Sequence, residues 1–478
     1  MKGSVRILAG LASATALLMT GCAATPVPEL AADDVPAGWE QATPGSDVIW
    51  PDLDWWQAFE SSELNELVTR LETSNLDLEI NRVNLSQAQL TLQDAGFNLW
   101  PVPVLSVGAN ENYSGNRPDG GDYTDGTSSS ANASLSVSYT DILSKPANYK
   151  SAKLNYESSL ASAVDLRLNT LSTAASTYFQ ILLTRDRILA AEQNLANAEA
   201  VARITETRAE VGMITPLDAL QQRIAVDQQK ASLSSLRQSE YSARAALALM
   251  MASSVTDFDV SATTLEDVVV PEVKPGLPSE LLVRRPDLVQ AKANLARSAN
   301  SVDLARLAYL PNISLTGSAN LQSDSLSALL SSSDLFVNAA ASVAQTLLTN
   351  GSRRRNVKRA QLSLESSIAS YRKAVIGAFN NIEVSLSNVE LLDELARVAA
   401  SNLDLAEESF RLAEVRYREG EVDYQTVLVA QVTLFNSRNS LLDNKLARLN
   451  AVIGLYTALG GGWQQGEESV AYVEGTAM

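Results

Sequence analysis

The sequence predicts a mostly helical protein that contributes four membrane β-strands to a barrel shared between chains. First, four short segments alternate between polar and apolar residues, the pattern of strands whose two faces meet different surroundings. Second, two segments have the composition of uninterrupted helices of roughly 65 residues, and helices this long need coiled-coil-like packing along their length. Third, both kinds of segment recur in the same order in the two halves of the chain.

The alternation is strictest in the third predicted strand, at about 312–321, where small hydroxyl and amide side chains share one face. The fourth strand is predicted at about 335–347, and an equivalent pair at about 102–113 and 130–141. Small polar side chains are typical of a barrel lumen, and roughly 9–11 residues suffice to cross a bilayer. Four strands cannot close a barrel, and lipid does not tolerate open sheet edges. Either the sheet lies outside the membrane, or several chains share one barrel.

The composition argues against several functional classes. The net charge of −18 disfavours nucleic acid as a partner. Histidine is absent, which removes the commonest general base and transition-metal ligand. The sequence contains no phosphate-binding loop, no nucleophile elbow and no metal-ligand spacing. We therefore predict no enzyme activity, no cofactor and no metal site. After the N-terminus no apolar run approaches 18 residues, so no transmembrane helix is predicted.

The first residues read as an export signal followed by a lipid anchor. Residues 1–21 combine the basic Lys2 and Arg6 with an apolar stretch too short to span a bilayer. Cys22 follows a small residue at the expected cleavage point, which resembles a bacterial lipobox and predicts lipidation of Cys22. The alternative is a chance cysteine. Residues 22–62 begin with a segment rich in Pro, Ala and acidic residues, which predicts an extended tether.

The remainder is a duplication of one helix–hairpin–helix module. Asn75–Leu78 is echoed by Arg285–Leu288, and Pro101 by Pro311, 210 positions later. The predicted organisation is a first repeat at 63–253, a linker at 254–278, a second repeat at 279–460 and a tail at 461–478.

Several motifs resemble one known family. The most specific runs from Gly276 to Leu288 and continues at Ala305–Pro311, with further matches at Trp55–Phe59 and Arg416–Gly420. In this order they resemble the TolC-type outer-membrane efflux channels, particularly the lipidated branch associated with RND drug-efflux pumps. At Leu348–Gly351 the chain departs from the Phe-Asp-Gly-Gly that the family often has, which puts only that turn in doubt.

The resemblance implies a fold and a function. Three chains would form a homotrimer with a 12-stranded barrel, and their helices a periplasmic α-barrel. The protein would be the lipid-anchored outer-membrane component of a tripartite efflux system, in contact with outer-membrane lipid and extending into the periplasm. It would be a passive exit duct for drugs or other small molecules, working with a periplasmic adaptor (membrane fusion) protein and an inner-membrane RND-type pump. The alternatives are a type I protein-secretion or metal-export duct of this architecture, or a non-channel structural envelope lipoprotein.

The resemblance also assigns roles to the two predicted helix ends. Both would dock the adaptor, through Arg208, Val211, Gly212, Thr215, Leu217, Asp218, Arg416, Gly420 and Leu428. The alternative is a purely structural turn, and the two interpretations are compatible. Glu421 and Asp423 are the candidate gate residues, because threefold symmetry would turn each into a ring of carboxylates that draws in cations. The alternative is that both are ordinary solvated acids.

A basic cluster follows the fourth predicted strand. Cations at the start of a helix oppose the helix dipole. Lipid phosphates at the periplasmic face of the membrane would offset that cost, whereas the alternative is a solvated basic patch. The cluster predicted to lie at the membrane interface comprises Arg353, Arg354, Arg355, Lys358 and Arg359.

Overall fold

The structure is a computed structural model, and its mostly helical architecture with one four-stranded sheet confirms the predicted fold class. It describes residues 25–27, 51–116, 124–272, 284–323, 335–422 and 424–463.

Seven α-helices lie within the described residues. A 3₁₀ turn, Trp55–Phe59, precedes the first of them. The helices are α1 (Ser62–Ser74), α2 (Leu76–Phe97), α3 (Lys145–Glu210), α4 (Pro216–Met250), α5 (Pro286–Leu307), α6 (Ser352–Arg418) and α7 (Tyr424–Ala458).

The four strands form one antiparallel sheet in chain order. They are β1 (Val102–Asn116), β2 (Thr124–Tyr139), β3 (Asn312–Ser323) and β4 (Leu335–Ala344). The first two are longer than the alternation predicts, because the Gly-, Ser- and Asp-rich ends of the hairpin still pair along the backbone. The second hairpin pairs with the first through β2 and β3, so only β1 and β4 have an unpaired edge within the sheet.

The register gathers the apolar positions of all four strands into common rows. Leu105 pairs with Leu135, and Leu135 pairs with Ala319, which in turn pairs with Val337. Directly paired residues point to the same face of an antiparallel sheet. The neighbouring row, through Ser136 and Ser318, lies on the opposite face. One face of the sheet is therefore aliphatic, and the other carries mostly hydroxyl and amide groups.

The chain divides into two compact units, and each sequence repeat contributes to both. The strand unit combines residues 85–159 and 291–371 with the N-terminal segment up to Glu29. The helical unit combines residues 30–84, 160–290 and 372–478. The predicted boundaries follow the duplication along the chain, whereas the boundaries of the units fall within α3 and α6, whose first turns belong to the strand unit.

The core of the helical unit is built around aromatic rings from the 3₁₀ turn. Phe59 is fully buried, and its ring centroid lies 5.2 Å from that of Phe179 on α3. Trp55 lies 5.6 Å from Tyr456 on α7. Edge-to-face and tilted aromatic pairs of this kind add to the free energy gained by burial. The turn thereby packs α3 and α7 against one core.

Charged side chains of the helices hold the linker between the repeats. Glu63 on α1 accepts hydrogen bonds from the backbone N–H groups of Ser261 and Ala262 and from the Tyr178 hydroxyl. Burial raises the pKa of the Glu63 carboxyl, but these hydrogen bonds outweigh burial and hold the pKa below its usual value. Glu63 therefore holds the linker as a carboxylate.

We predict that Glu63→Gln lowers stability at neutral pH and has less effect in acid. The lowered pKa means that the carboxylate contributes its full stabilisation above the unfolded-state value, near 4.3, and loses it as the pH falls through the folded-state value. Removing this charged acceptor should cost about 1–2 kcal/mol at pH 7. Thermal unfolding at pH 7 and at pH 4 measures the difference. Glu66→Gln, at an exposed acid on the same helix, is the control, and an equal effect of both variants would contradict the assignment.

Candidate functional site

The first candidate site is the turn that ends α3. Gly212 has a φ of +74°, in the left-handed region where only glycine is unstrained. Its N–H donates to the Ala209 carbonyl at 3.0 Å, and the Met213 N–H donates to the Arg208 carbonyl at 2.9 Å. This pair of hydrogen bonds is the Schellman motif, which satisfies the last carbonyls of a helix and turns the chain back. Gly212 therefore defines where α3 ends.

The turn that ends α6 repeats this geometry. Gly420 has a φ of +78°, and its N–H donates to the Tyr417 carbonyl at 3.1 Å. The Glu421 N–H donates to the Arg416 carbonyl at 2.9 Å. The two halves of the duplication thus end their long helices by the same hydrogen-bonded turn, and we call these turns tip 1 (Arg208–Asp218) and tip 2 (Arg416–Leu428).

Tip 1 presents apolar side chains on a rigid backbone. The Thr215 hydroxyl accepts from the Asp218 N–H, and the Asp218 carboxylate accepts from the Thr215 N–H, so α4 begins with a reciprocal capping box. Apolar side chains on both sides of the turn are exposed: Val211, just before Gly212, is 64% exposed, and Leu217, in the first turn of α4, is 60% exposed. Exposed apolar side chains on a fixed turn can form the centre of a protein interface.

The two tips contact each other. The Arg208 guanidinium donates to the Tyr417 hydroxyl at 3.4 Å, and Tyr417 packs against the small apolar cluster of Ala413 and Val427. Leu428 is half-buried beside them. The structure thus places Arg208, a predicted docking residue of tip 1, against Tyr417, which is not one of the predicted docking residues.

The candidate gate residues are only partly described. Glu421 is exposed, and its carboxylate accepts from the Arg416 guanidinium of its own chain at 3.0 Å. Exposed pairs of this kind are worth little energetically, but they set the local balance of charge. Asp423 lies outside the described residues, as does the predicted lipidation site Cys22.

The basic cluster occupies the first two turns of α6, just after β4. Arg354, Arg355, Lys358 and Arg359 are exposed, and Arg353 is half-buried. Arg355 donates to the Asn350 carbonyl at 2.9 Å, and Arg359 to the Asn356 side chain at 3.0 Å. These acceptors are neutral, and within the described residues no carboxylate forms an ion pair with any of the five cations. The cluster retains its positive charge.

Three features of the structure were not predicted from the sequence. The linker contacts of Glu63, Arg185 and Asp186 join residues far apart in sequence, and no local pattern signals them. Thr25 contacts Asp303 across 278 positions. The helical unit also contains an open cavity of about 970 Å³, lined by hydroxyl and amide side chains that include Asn169, Ser172, Thr173, Asn380, Asn381 and Asn450.

The described residues offer neither a metal-binding cluster nor a membrane-spanning helix. They contain no group of three or more His, Cys, Asp or Glu side chains arranged to hold a metal ion. Among their helices, none combines the length and the hydrophobicity that crossing a bilayer requires.

We predict that Gly212→Ala destabilises tip 1, whereas Gly377→Ala does not destabilise α6. Both positions have open space where a Cβ would stand, so only backbone conformation distinguishes them. Alanine in the left-handed region costs about 1–2 kcal/mol, whereas alanine inside a helix gains about 0.5–1 kcal/mol over glycine. Hydrogen exchange should accelerate roughly 5–30-fold at the Met213 amide in Gly212→Ala, because that factor corresponds to the same free energy. An unchanged exchange rate at the Met213 amide would show that the left-handed φ of residue 212 does not determine the stability of the turn.

Comparison with known proteins identifies the family. A model of the outer membrane efflux protein family matches residues 70–253 and 277–461, the two repeats. The chain is 32% identical to the pyoverdine export outer membrane protein OpmQ of Pseudomonas aeruginosa over 95% of this chain and 97% of that protein. It is 26% identical to the cation efflux system protein CusC of Escherichia coli, over 94% of this chain and 98% of that protein.

Solved structures show the same fold. The Campylobacter jejuni CmeC outer membrane channel superposes with a TM-score of 0.83 at 21% identity, covering 94% of this chain and 97% of that one. The Neisseria gonorrhoeae MtrE outer membrane channel superposes with a TM-score of 0.79 at 24% identity, covering 92% and 99%. Taken with the match to both repeats, these findings show that the chain belongs to the outer membrane efflux protein family and is an outer-membrane efflux channel.

Proposed function

We propose that three copies of this chain form one pore across the outer membrane, which serves as the passive exit duct of a tripartite efflux system. The four-stranded sheet with unpaired β1 and β4 edges carries this proposal. Unpaired backbone groups are costly in lipid, so each edge needs a partner strand. Since β1 and β4 run antiparallel to each other, β4 of one copy can pair with β1 of the next and continue the up-and-down order. Three copies give twelve strands, an even number as bacterial barrels have.

The faces of the sheet support a water-filled lumen. The aliphatic row, which includes exposed Leu105, Leu135 and Val337, would face lipid. The opposite row, in which the hydroxyls of Ser314 and Ser342 approach to 2.6 Å, would line the pore. Outer-membrane barrels alternate in this way.

The cargo that we propose is a polar small molecule. The relative with 32% identity is named for export of pyoverdine, whereas relatives at 26% identity are named for cation, toluene or antibiotic efflux. Hydroxyl and amide side chains on the polar strand face and in the cavity of the helical unit suit a cargo that forms hydrogen bonds. A deletion strain that releases less pyoverdine and keeps its drug susceptibility would support this cargo, and a strain that only becomes drug-susceptible would favour a drug.

The tips are the proposed contact with a periplasmic adaptor, which would connect the duct to an inner-membrane RND-type pump. Val211, Met213 and Leu217 expose apolar surface at the end of helix pairs, and the Schellman turn and capping box hold them in place. A helix of the length of α3 spans about 100 Å at 1.5 Å per residue. In the proposed duct, helices of this length would carry the tips into the periplasm.

Two further assignments concern the membrane boundary. Lipidation of Cys22 would anchor the N-terminus of the mature protein. The basic cluster, which has no ion-paired carboxylate in the described part of the chain, would contact lipid phosphates at the periplasmic face.

The pore and its gate are tested together in planar bilayers. The purified protein should open discrete steps of conductance, which a structural rod would not produce. Glu421→Ala with Asp423→Ala should lower cation selectivity, because two rings of carboxylates are lost from the mouth, and reversal potentials at low salt measure this. The control is Asp404→Ala, which removes an exposed acid of α6 that lies about 25 Å from Glu421 along the helix. An unchanged reversal potential removes both residues from the gate, and an absence of pores refutes the duct itself.

The assignment of the strand faces is tested by arginine at neighbouring positions. Leu315→Arg should cost about 2–4 kcal/mol if this aliphatic position meets lipid near the midplane. Thr316→Arg, one residue on and on the polar face opposite Ala340, should be tolerated. The amount of folded trimer in the outer membrane measures both. Equal loss in the two variants would show that the sheet does not separate lipid from water.

A further inference from the structure

The described N-terminal residues dock on α5. The Thr25 N–H donates to both carboxylate oxygens of Asp303, at 3.0 and 3.1 Å, and the Thr25 hydroxyl donates to the same carboxylate at 2.5 Å. Arg306, one turn further along the helix, donates to the Thr25 hydroxyl at 3.0 Å. Four hydrogen bonds thus fasten Thr25 to two charged side chains.

The contact requires a hydroxyl that lies between a negative and a positive side chain. A hydroxyl can donate one hydrogen bond while it accepts others, and Thr25 does both, between a carboxylate and a guanidinium. The Asp303 side chain is only 18% exposed, and Arg306 also lies 3.8 Å from it. Hydrogen bonds to a charged group are stronger than those between neutral groups. Charge-assisted hydrogen bonds, and not apolar packing alone, therefore hold Thr25 on α5.

The position of this contact in the strand unit suggests its purpose. Asp303 stands four residues, about 6 Å, before the end of α5 at Leu307, and β3 begins at Asn312. Asn312 pairs with Ala344, so the end of α5 and the start of α6 meet the sheet at the same end. Three residues of extended chain span at most about 11 Å, which sets the greatest separation of Cys22 from Thr25.

That end of the sheet has the composition of a membrane boundary. Trp100 is 75% exposed just before β1, and Leu347 and Leu348 are 86% and 90% exposed just after β4. Exposed Tyr309 precedes β3, and the basic cluster follows β4. Aromatic and basic side chains are enriched where a membrane protein crosses the headgroup layer.

From these contacts we propose that Asp303 and Arg306 form a clasp for Thr25 that fixes the lipid-bearing N-terminus at the headgroup level. The contacts of Thr25 with Asp303 and Arg306 do not depend on the proposed lipidation of Cys22. The role of the clasp in placing the acyl chains does rest on that lipidation. The clasp holds Thr25 directly, so that the acyl chains enter the bilayer at the strand–helix junction.

A spin label beside the clasp tests the proposal in the full chain. Cys22 is the only cysteine, and acylation blocks its thiol, so Val27→Cys offers one site for a nitroxide. In phosphatidylethanolamine–phosphatidylglycerol vesicles, the label should give an immobilised spectrum at a single depth, measured from its collisions with oxygen and with a nickel chelate. Asp303→Ala should shorten the rotational correlation time several-fold and broaden the depth. Thr25→Val, which keeps the backbone donor, should fall between.

Controls separate the clasp from folding and from lipidation. Ser301→Ala, on the same helix, removes a hydroxyl that bonds only its own helix at Arg297 and should change nothing. Trimer content on gels verifies that each variant folds. Cys22→Ser should keep the immobilised spectrum, whereas missing acyl groups in the mass spectrum of the wild type would refute the anchor and leave the clasp standing. A mobile label in the Val27→Cys protein, or an immobilised one when Asp303→Ala is added, would overturn the clasp. An unchanged depth in Asp303→Ala would overturn its role in setting height.

Discussion

The whole molecule depends on how the backbone of a four-stranded sheet satisfies its hydrogen bonds. The sheet runs in chain order, so β1 and β4 each present a row of N–H and C=O groups with no partner strand among the described residues. In water such an edge is a liability, and in lipid it is intolerable. In the proposed shared barrel, other copies of the chain supply the missing edges, so that assembly completes the hydrogen bonding of the sheet.

The two halves of the duplication end their very long helices in the same way. A helix of more than sixty residues leaves its last carbonyls without partners, and both halves satisfy them by a Schellman turn with glycine in the left-handed region. The two turns then differ in their surface. Tip 1 exposes apolar side chains next to a capping box, whereas tip 2 carries the Arg416–Glu421 pair. The two turns therefore share one backbone geometry but expose different side chains.

Periodic and local signals made much of this predictable from the sequence. The alternation from Asn312 to Leu321 gives the faces of β3, and Gly212 and Gly420 mark the ends of α3 and α6 to within a residue or two. The extra length of β1 and β2 was not predictable, because their outer residues lack alternation and pair only through the backbone. Contacts such as Glu63 with the linker and Thr25 with Asp303 depend on tertiary placement, which composition and spacing do not encode.

Cross-linking of the two sheet edges tests the central claim most directly. Within one chain β1 and β4 are three strand spacings apart, about 14 Å, which is too far for a disulfide. In a Cys22→Ser background, Leu105→Cys on β1 is combined in turn with Ala339→Cys, Ala340→Cys or Ala341→Cys on β4, so that both faces and neighbouring registers are sampled. If chains share one barrel, oxidation in membranes joins neighbouring chains in at least one combination, and the ladder ends at the trimer. Only monomers in all three combinations would contradict the shared barrel.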